Sequence, residues 1–204
     1  MASDNKLNTD LWSPRSVEET QKIYADWAGN YDADVTGAGY QTPARLAAAL
    51  AAATPDRDAP ILDYGCGTGL SGAALAAEGF RTLDGTDINA EMLAEAAAKG
   101  LYRRTWQSAP GRPAVTVGDY AAITATGVIS LGAAPPETLA ALLECLAPGG
   151  LLAFSFNDAT LADPSYIAAL DTARSELAEQ VSEAFGPHLE SKDMSSTVFV
   201  LRRM

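Results

Sequence analysis

From about residue 60 onward, short apolar runs alternate along the chain with longer segments in which Ala and Leu recur among polar residues. An apolar run of about four to eight residues predicts a buried strand, whereas apolar positions spread over roughly ten or more residues predict an amphipathic helix. The predicted strands are 61–64, 80–87, 102–108, 120–129, 150–157, 188–192 and 196–203. The predicted helices are 16–28, 42–53, 70–78, 89–99, 135–146 and 163–185.

Capping residues support the beginnings of three of these helices. Ser16 and Glu19 have the spacing of a capping box, in which each side chain bonds to the backbone N–H of the other residue. Thr42 is expected to cap the second helix, with Pro43 at its first position. Asn89 is expected to cap the helix that follows the second strand. These residues fix where the predicted helices start.

The order of the elements predicts an α/β fold. Helices between successive strands allow right-handed crossovers, which join parallel neighbours. The last two strands, 188–192 and 196–203, have no helix between them, so they are expected to form an antiparallel hairpin. We therefore expect one mostly parallel, seven-stranded sheet with a C-terminal antiparallel hairpin and with helices on both faces.

Composition narrows the class of ligand. The chain has 204 residues, 48% of them hydrophobic, which suits a single domain with a substantial core. Its net charge of −12 argues against a nucleic-acid partner, because binding to phosphate relies on clustered Lys and Arg. The two cysteines lie far apart, so neither a disulfide framework nor a metal site is predicted. With no apolar leader and no long apolar run, the protein is expected to be cytoplasmic, with no membrane partner.

A cluster of glycines follows the first predicted strand, in "ILDYGCGTGLSGAAL". Gly67 and Gly72 fit a GxGxxG pattern with Asp87 twenty residues after Gly67, which is the fingerprint of a dinucleotide site. In another register, Asp63 stands just before the first glycine, Gly65. A carboxylate there would repel a pyrophosphate but attract an ammonium group. The glycines alone leave an NAD(P)-dependent oxidoreductase open, but the charge of Asp63 favours a ligand with an ammonium group, such as an amino-acid nucleoside.

Three motifs in order identify a family resemblance. "ILDYGCGTG" resembles the first motif of class I S-adenosylmethionine-dependent methyltransferases, and "GTDINAEML" resembles the second. "ECLAPGGLLAFSF" is similar to their helix–PGG–strand element. "IYADWAGNYDADVTGAGYQTP" and "KGLY" resemble the methyltransferase-like group that includes the Williams–Beuren-region methyltransferase. The resemblance implies a Rossmann-like class I methyltransferase fold and S-adenosyl-L-methionine as the cofactor.

The resemblance also assigns roles to single residues. Asp63 would help to hold the methionine ammonium, and Asp87 would accept both ribose hydroxyls. Ile88 and Met92 would flank the adenine, and Tyr31 would contact the methionine end. The complete set expected to bind the cofactor is Tyr31, Asp63, Gly65, Cys66, Gly67, Thr68, Gly69, Asp87, Ile88, Met92 and Thr126.

The chain departs from the family pattern at the third strand. Many relatives place an acid there to bind the adenine amino group, whereas this chain has Ser108 and Ala109. Adenine would then be recognised by backbone groups, Gln107 or Ser108. This departure keeps a non-catalytic S-adenosylmethionine-binding protein open as an alternative. The single histidine, His188, is interpreted as structural or exposed, and no catalytic base is named.

The expected organisation is a single methyltransferase domain. Residues 1–15 would form a loose tail, 16–59 a helical lid, 60–157 the cofactor-binding core, and 158–204 the C-terminal helix and strand pair. The predicted activity is methyl transfer to a small-molecule acceptor, whose identity and methylated atom the sequence leaves open. The sequence predicts no oligomeric state.

Overall fold

Seven strands form one sheet in the part of the chain that the computed structural model describes, residues 7, 11, 13 and 15–204. The strands are β1 (Ile61–Tyr64), β2 (Leu83–Asp87), β3 (Arg104–Gln107), β4 (Ala122–Ala125), β5 (Leu151–Asn157), β6 (Ala178–Leu189) and β7 (Met194–Arg203). The helices are α1 (Val17–Gly37), α2 (Thr42–Ala53), α3 (Leu70–Ala77), α4 (Ala90–Ala98), α5 (Thr138–Leu143), α6 (Asp158–Leu161) and α7 (Pro164–Thr172).

The sheet order is β3-β2-β1-β4-β5-β7-β6. The first five strands in that order run parallel, whereas β7 pairs antiparallel with both β5 and β6. The predicted mostly parallel sheet with a C-terminal antiparallel pair is therefore confirmed. Strand order reverses between β1 and β4, so the crevice beyond their carboxyl ends is the expected ligand position in an open α/β sheet.

The two faces of the sheet carry separate hydrophobic clusters, because side chains alternate between faces along each strand. On one face, Leu152 and Phe154 of β5 pack with residues of α5 and α7. On the other face, Leu151 and Ala153 pack with residues of α2 and α3. Every residue of β5 is buried, as expected for a central strand covered on both sides.

The predicted cap at Ser16 is confirmed, but the one at Thr42 is wrong. Ser16 Oγ accepts from Glu19 N at 3.2 Å, and Glu19 Oε2 accepts from Ser16 N at 2.9 Å. Thr42 is instead the first residue of α2, after an N-cap at Gln41 whose side chain makes no capping bond to the helix. Its hydroxyl bonds to His188 across the fold rather than to its own helix.

Helix α1 is longer than predicted. The glycine and polar residues after Ala28 were expected to end it, yet it continues to Gly37. Gly29 is exposed, so its cost to the helix is limited to about 1 kcal/mol. Burial of Val35 and the 2.7 Å bond from Trp27 Nε1 to Asp34 Oδ2 offset that cost. Burial of the helix and a bond between two of its turns thus override a local sequence signal.

The predicted helix 163–185 is wrong in its second half. Helix α7 ends at Thr172, a π-helical turn follows over Ala173–Leu177, and β6 begins at Ala178. The sequence of β6 favours a helix by composition, but the strand pairs with β7 along most of its length. Strand formation depends strongly on such partners, so cross-strand pairing outweighs helix propensity here.

The predicted tail, residues 1–15, lies largely outside the described residues. Leu7 and Leu11, which are described, are buried in a cluster with Trp27 and Val35 of α1.

None of the helices in the described part of the chain is both long and apolar enough to cross a membrane. The cytoplasmic location stays a prediction.

Candidate active site

A cavity of about 160 Å³, here called the main cavity, lies beyond the carboxyl ends of β1 to β4. It is lined by Val17, Thr20, Tyr24, Tyr31, Tyr64, Gly65, Gly67, Asp87, Ile88, Met92, Ser108, Pro110, Gly111, Thr126, Gly127, Val128, Ala133, Ala134 and Pro135. Helix α1 covers it from above, and the loops after the four strands form its floor and sides. The cavity therefore lies in the crevice where the strand order reverses.

The glycine loop after β1 forms one wall of the main cavity. Gly65 has a φ of +68°, and a Cβ there would lie 2.4 Å from a methyl carbon of Val128. Gly67 has a φ of +53°, but a Cβ there would meet nothing within 4 Å. Gly65 therefore allows close packing behind the loop, whereas the space at Gly67 is open to a ligand.

Asp87 ends β2 with its carboxylate at the main cavity. Its two oxygens accept from Gly67 N and Asn89 N, each at 2.8 Å. Burial raises the pKa of this carboxyl, and the backbone hydrogen bonds act against that shift. Each oxygen has a second lone pair, so the carboxylate can also accept from two donors of a ligand.

Asp63 lies behind the glycine loop and is completely buried. Its carboxylate accepts from the hydroxyls of Ser71, Tyr102 and Thr124 at 2.6, 2.7 and 2.9 Å. Burial raises its pKa, and these three hydrogen bonds oppose the shift. Asp63 is not among the residues that line the main cavity, so its contact with an ammonium group stays a prediction.

Tyr102 reaches Asp63 by packing closely against two glycines. A Cβ at Gly72 would lie 2.3 Å from the Tyr102 hydroxyl oxygen, and a Cβ at Gly85 would lie 3.1 Å from its ring. Gly72, the third glycine of the GxGxxG pattern, therefore leaves room for the hydroxyl of Tyr102. The "KGLY" motif contained this residue, but its bond to Asp63 joins positions that are far apart in sequence.

A small cavity beside the glycine loop, here called the loop cavity, contains further predicted residues. It is lined by Tyr31, Tyr40, Pro43, Gly65, Cys66, Gly67, Thr68, Leu70, Ser71 and Thr126. Burial raises the pKa of the Cys66 thiol, which disfavours the reactive thiolate. Gly69 lines neither this cavity nor the main one; with a φ of +91° it is the N-cap of α3.

Helix α1 is attached to the glycine loop by hydrogen bonds and an ion pair that were not predicted from the sequence. Asp32 accepts from Thr68 Oγ1 and forms a 2.8 Å ion pair with Lys99. Lys99 also donates to the backbone oxygen of Thr68. No local motif joins these three residues, because they come from α1, the loop and the end of α4.

A second cavity, here called the side cavity, adjoins the main cavity beneath α1. It is lined by Leu7, Leu11, Tyr24, Trp27, Tyr31, Val35, Tyr40, Gly127, Ser130, Leu131, Ala133, Ser155, Asn157, His188 and Leu189. The two cavities share the walls formed by Tyr24, Tyr31, Gly127 and Ala133. The sequence led us to interpret His188 as structural or exposed. It did not predict that His188 lines a cavity.

A family model described as a methyltransferase domain matches residues 38–186. The chain belongs to this methyltransferase family. Human methyltransferase-like protein 27 is 37% identical over 134 residues, which are 64% of this chain and 54% of the human protein. This chain thus matches only about half the length of that curated relative.

Solved structures share the fold. A TehB-like SAM-dependent methyltransferase from Corynebacterium glutamicum aligns with a TM-score of 0.63 and 19% identity, covering 90% of this chain and all (100%) of that one. Magnesium protoporphyrin IX methyltransferase from Synechocystis, solved with bound SAH, aligns with a TM-score of 0.63 and 18% identity, covering 86% and 88% of the two chains. The predicted Rossmann-like class I methyltransferase fold is confirmed. S-adenosylmethionine is the cofactor of this methyltransferase domain.

The methyltransferase domain has features in the main cavity that fit this cofactor. Thr126 Oγ1 is buried and has no partner among the described residues, although it lines both the main cavity and the loop cavity. Asp87 offers lone pairs to two hydroxyls, and the space beside Gly67 is open. Unpaired buried polar atoms are costly, so the oxygen of Thr126 fits a polar group of a bound ligand at this position.

Gln107, one of the groups expected to recognise the adenine, does not line the main cavity. Its Nε2 donates to the backbone oxygen of Ile88 at 2.9 Å, so the side chain stabilises the loop after β2. Ser108, Pro110 and Gly111 line the cavity instead. Of the predicted cofactor residues, those that line the main cavity are Tyr31, Gly65, Gly67, Asp87, Ile88, Met92 and Thr126.

Proposed function

We propose that the protein transfers the methyl group of S-adenosylmethionine to a small organic molecule bound in the side cavity. The observation that carries this proposal is the common wall: Tyr24, Tyr31, Gly127 and Ala133 belong to both cavities. A molecule in the side cavity would thus lie next to the methionine end of a cofactor in the main cavity. Alignment of the two reactants is the main requirement of a displacement reaction.

Asp87 would hold the ribose hydroxyls, with Ile88 and Met92 on either side of the adenine. The backbone around Gly67 would lie against the methionine part, and Thr126 Oγ1 would donate to or accept from it. The cofactor supplies a methyl group that its sulfonium already activates for in-line transfer. The protein then has to position the acceptor and keep water away.

Helix α1 would help to keep water out of the main cavity. It contributes Thr20, Tyr24 and Tyr31 to the roof of the main cavity and is fastened to the loop through Asp32 and Lys99. We therefore retain the lid hypothesis for α1, the part of segment 16–59 that covers the main cavity. Helix α2 packs instead against α3 and the sheet.

The test is a pair of measurements on the purified chain. Calorimetric titrations with S-adenosylhomocysteine, S-adenosylmethionine and NADH should give binding of the first two only. A screen for release of S-adenosylhomocysteine should then find turnover with small molecules and none with bulk RNA or unfolded protein. Binding without turnover across the screen would favour the non-catalytic alternative, and turnover on macromolecules alone would refute a small acceptor.

A further inference from the structure

His188 ends a chain of hydrogen bonds that begins at an arginine. Arg45 Nη1 lies 2.9 Å from Ser196 Oγ, and Ser196 Oγ lies 2.9 Å from Thr42 Oγ1. Thr42 Oγ1 in turn lies 2.8 Å from His188 Nδ1. Ser196 and Thr42 are completely buried, and His188 is only 6% exposed. Water therefore has little access to this chain of polar groups.

The direction of each hydrogen bond follows from the first donor. A guanidinium only donates, so Ser196 Oγ accepts from Arg45. The single proton of Ser196 is then directed to Thr42 Oγ1, and the single proton of Thr42 is directed to His188 Nδ1. The opposite direction would leave the buried hydroxyl hydrogen of Ser196 without an acceptor, which is costly. Nδ1 is therefore an acceptor, and the neutral ring carries its proton on Nε2.

The surroundings of the ring keep it neutral. Burial lowers the pKa of His188 to about 4, and the charge of Arg45 acts in the same direction, whereas that of Asp158 acts against it. The ring of Tyr40 packs edge-on at 5.2 Å between centroids. No described residue bonds to Nε2, and His188 lines the side cavity, so its N–H can donate to a molecule there.

The rest of the side cavity is also uncharged at neutral pH, as far as the described residues line it. Burial raises the pKa of the hydroxyls of Tyr24, Tyr31 and Tyr40, so all three remain protonated. Asn157 Oδ1 already accepts from the backbone N–H and the hydroxyl of Thr160. An ammonium or carboxylate ligand would lose its hydration here without meeting an opposite charge.

We infer that His188 is a specificity-determining residue whose Nε2–H donates to an uncharged methyl acceptor bearing a carbonyl or comparable oxygen. This inference rests on the proposed function, because it takes the side cavity as the acceptor site. It assigns His188 to substrate recognition rather than to proton removal, and it makes Thr42 and Ser196 positioning residues that set the tautomer.

The tautomer can be measured directly because His188 is the only histidine of the chain. In protein labelled with ¹⁵N-histidine and freed of any histidine tag, we expect an unprotonated Nδ1 and a protonated Nε2 from pH 6 to 8. Thr42→Val and Ser196→Ala, each confirmed folded by its thermal transition, should give mixed tautomers. A protonated Nδ1 or an imidazolium in the wild-type protein would overturn the inference, and so would variants with unchanged tautomers.

Recognition is tested with two probes of matched size, cyclopentanone and cyclopentylammonium, in the presence of S-adenosylhomocysteine. Cyclopentanone should shift the Nε2–H resonance with saturation, and cyclopentylammonium should not. His188→Gln, which retains an N–H donor, should keep cyclopentanone affinity within about threefold, whereas His188→Leu should lose about tenfold. No shift with cyclopentanone, or an equal shift with the ammonium, would overturn the inference. Failure to bind S-adenosylhomocysteine would instead refute the proposed function and leave the tautomer result standing.

Discussion

The main cavity and the side cavity are built in different ways. Most of the cofactor contacts expected in the main cavity come from a short loop and a strand end, near Gly67 and Asp87, within about one βαβ unit. The side cavity is assembled from α1, the end of β5 and the end of β6, so Tyr24, Asn157 and His188 meet there only in the folded chain. Under the proposed function, the cofactor site is thus built mainly from local structure, whereas the acceptor site depends on long-range packing.

The largest effect is expected for a substitution in the main cavity, which should weaken cofactor binding and leave the side cavity unchanged. Asp87→Asn removes the charge that would accept two ribose hydroxyls, and we expect affinity for S-adenosylhomocysteine to fall about 100-fold. Calorimetry measures the affinity, and the His188 tautomer should not change. Asp58→Asn, a matched substitution at an exposed carboxylate paired with Arg81, should bind normally. Equal affinities for the two variants would contradict the assignment of Asp87.

The buried His188 of the side cavity is expected to make the stability of the protein depend on pH. Because the pKa of His188 is lowered to about 4 from 6.5, the unfolded chain binds a proton between these values while the folded chain does not. Stability is therefore lost as pH falls through this window, by up to about 3 kcal/mol. His188→Gln cannot titrate, so urea unfolding at pH 7 and pH 4.5 should show a smaller decline for the variant. Parallel declines would refute a neutral, buried His188.

Gly67→Ala should separate backbone strain from loss of ligand space. Its φ of +53° and that of Gly100, +64°, are both left-handed, and a Cβ would meet nothing within 4 Å at either. Each alanine variant should lose about 1 kcal/mol of stability. Only Gly67→Ala should weaken S-adenosylhomocysteine binding, by about tenfold, as calorimetry would measure. A similar loss with Gly100→Ala would mean that strain alone explains the effect.

The smallest effect concerns the attachment of α1 across both cavities. Lys99→Met removes a partly exposed ion pair with Asp32, so the loss of stability should stay below about 1 kcal/mol. Amide exchange in α1 should nevertheless accelerate, because the helix loses its bond to the loop. Lys22→Met, at an exposed position on the same helix, is the control. Unchanged exchange in Lys99→Met would argue against an attachment role.

The difference between local structure and long-range packing also explains which features could be predicted from the sequence. The strands, the glycine loop and the acid that ends β2 are encoded within short segments, and their positions could be predicted. The full length of α1 and the strand β6 could not, because burial of Val35 and pairing with β7 decide them. The surroundings of His188 could not be predicted for the same reason: it bonds to Thr42, which in turn bonds to Ser196, and these residues come from distant elements.

The packing of Tyr102 has a consequence for comparing relatives. Its hydroxyl fills the space above Gly72 and its ring lies against Gly85, so a larger residue at either glycine would force the tyrosine to shift. A relative that keeps the tyrosine should carry glycine at both positions, and one that enlarges either glycine should have lost the tyrosine. Joint substitution at these three sites would then mark where a lineage has rebuilt the support beneath Asp63.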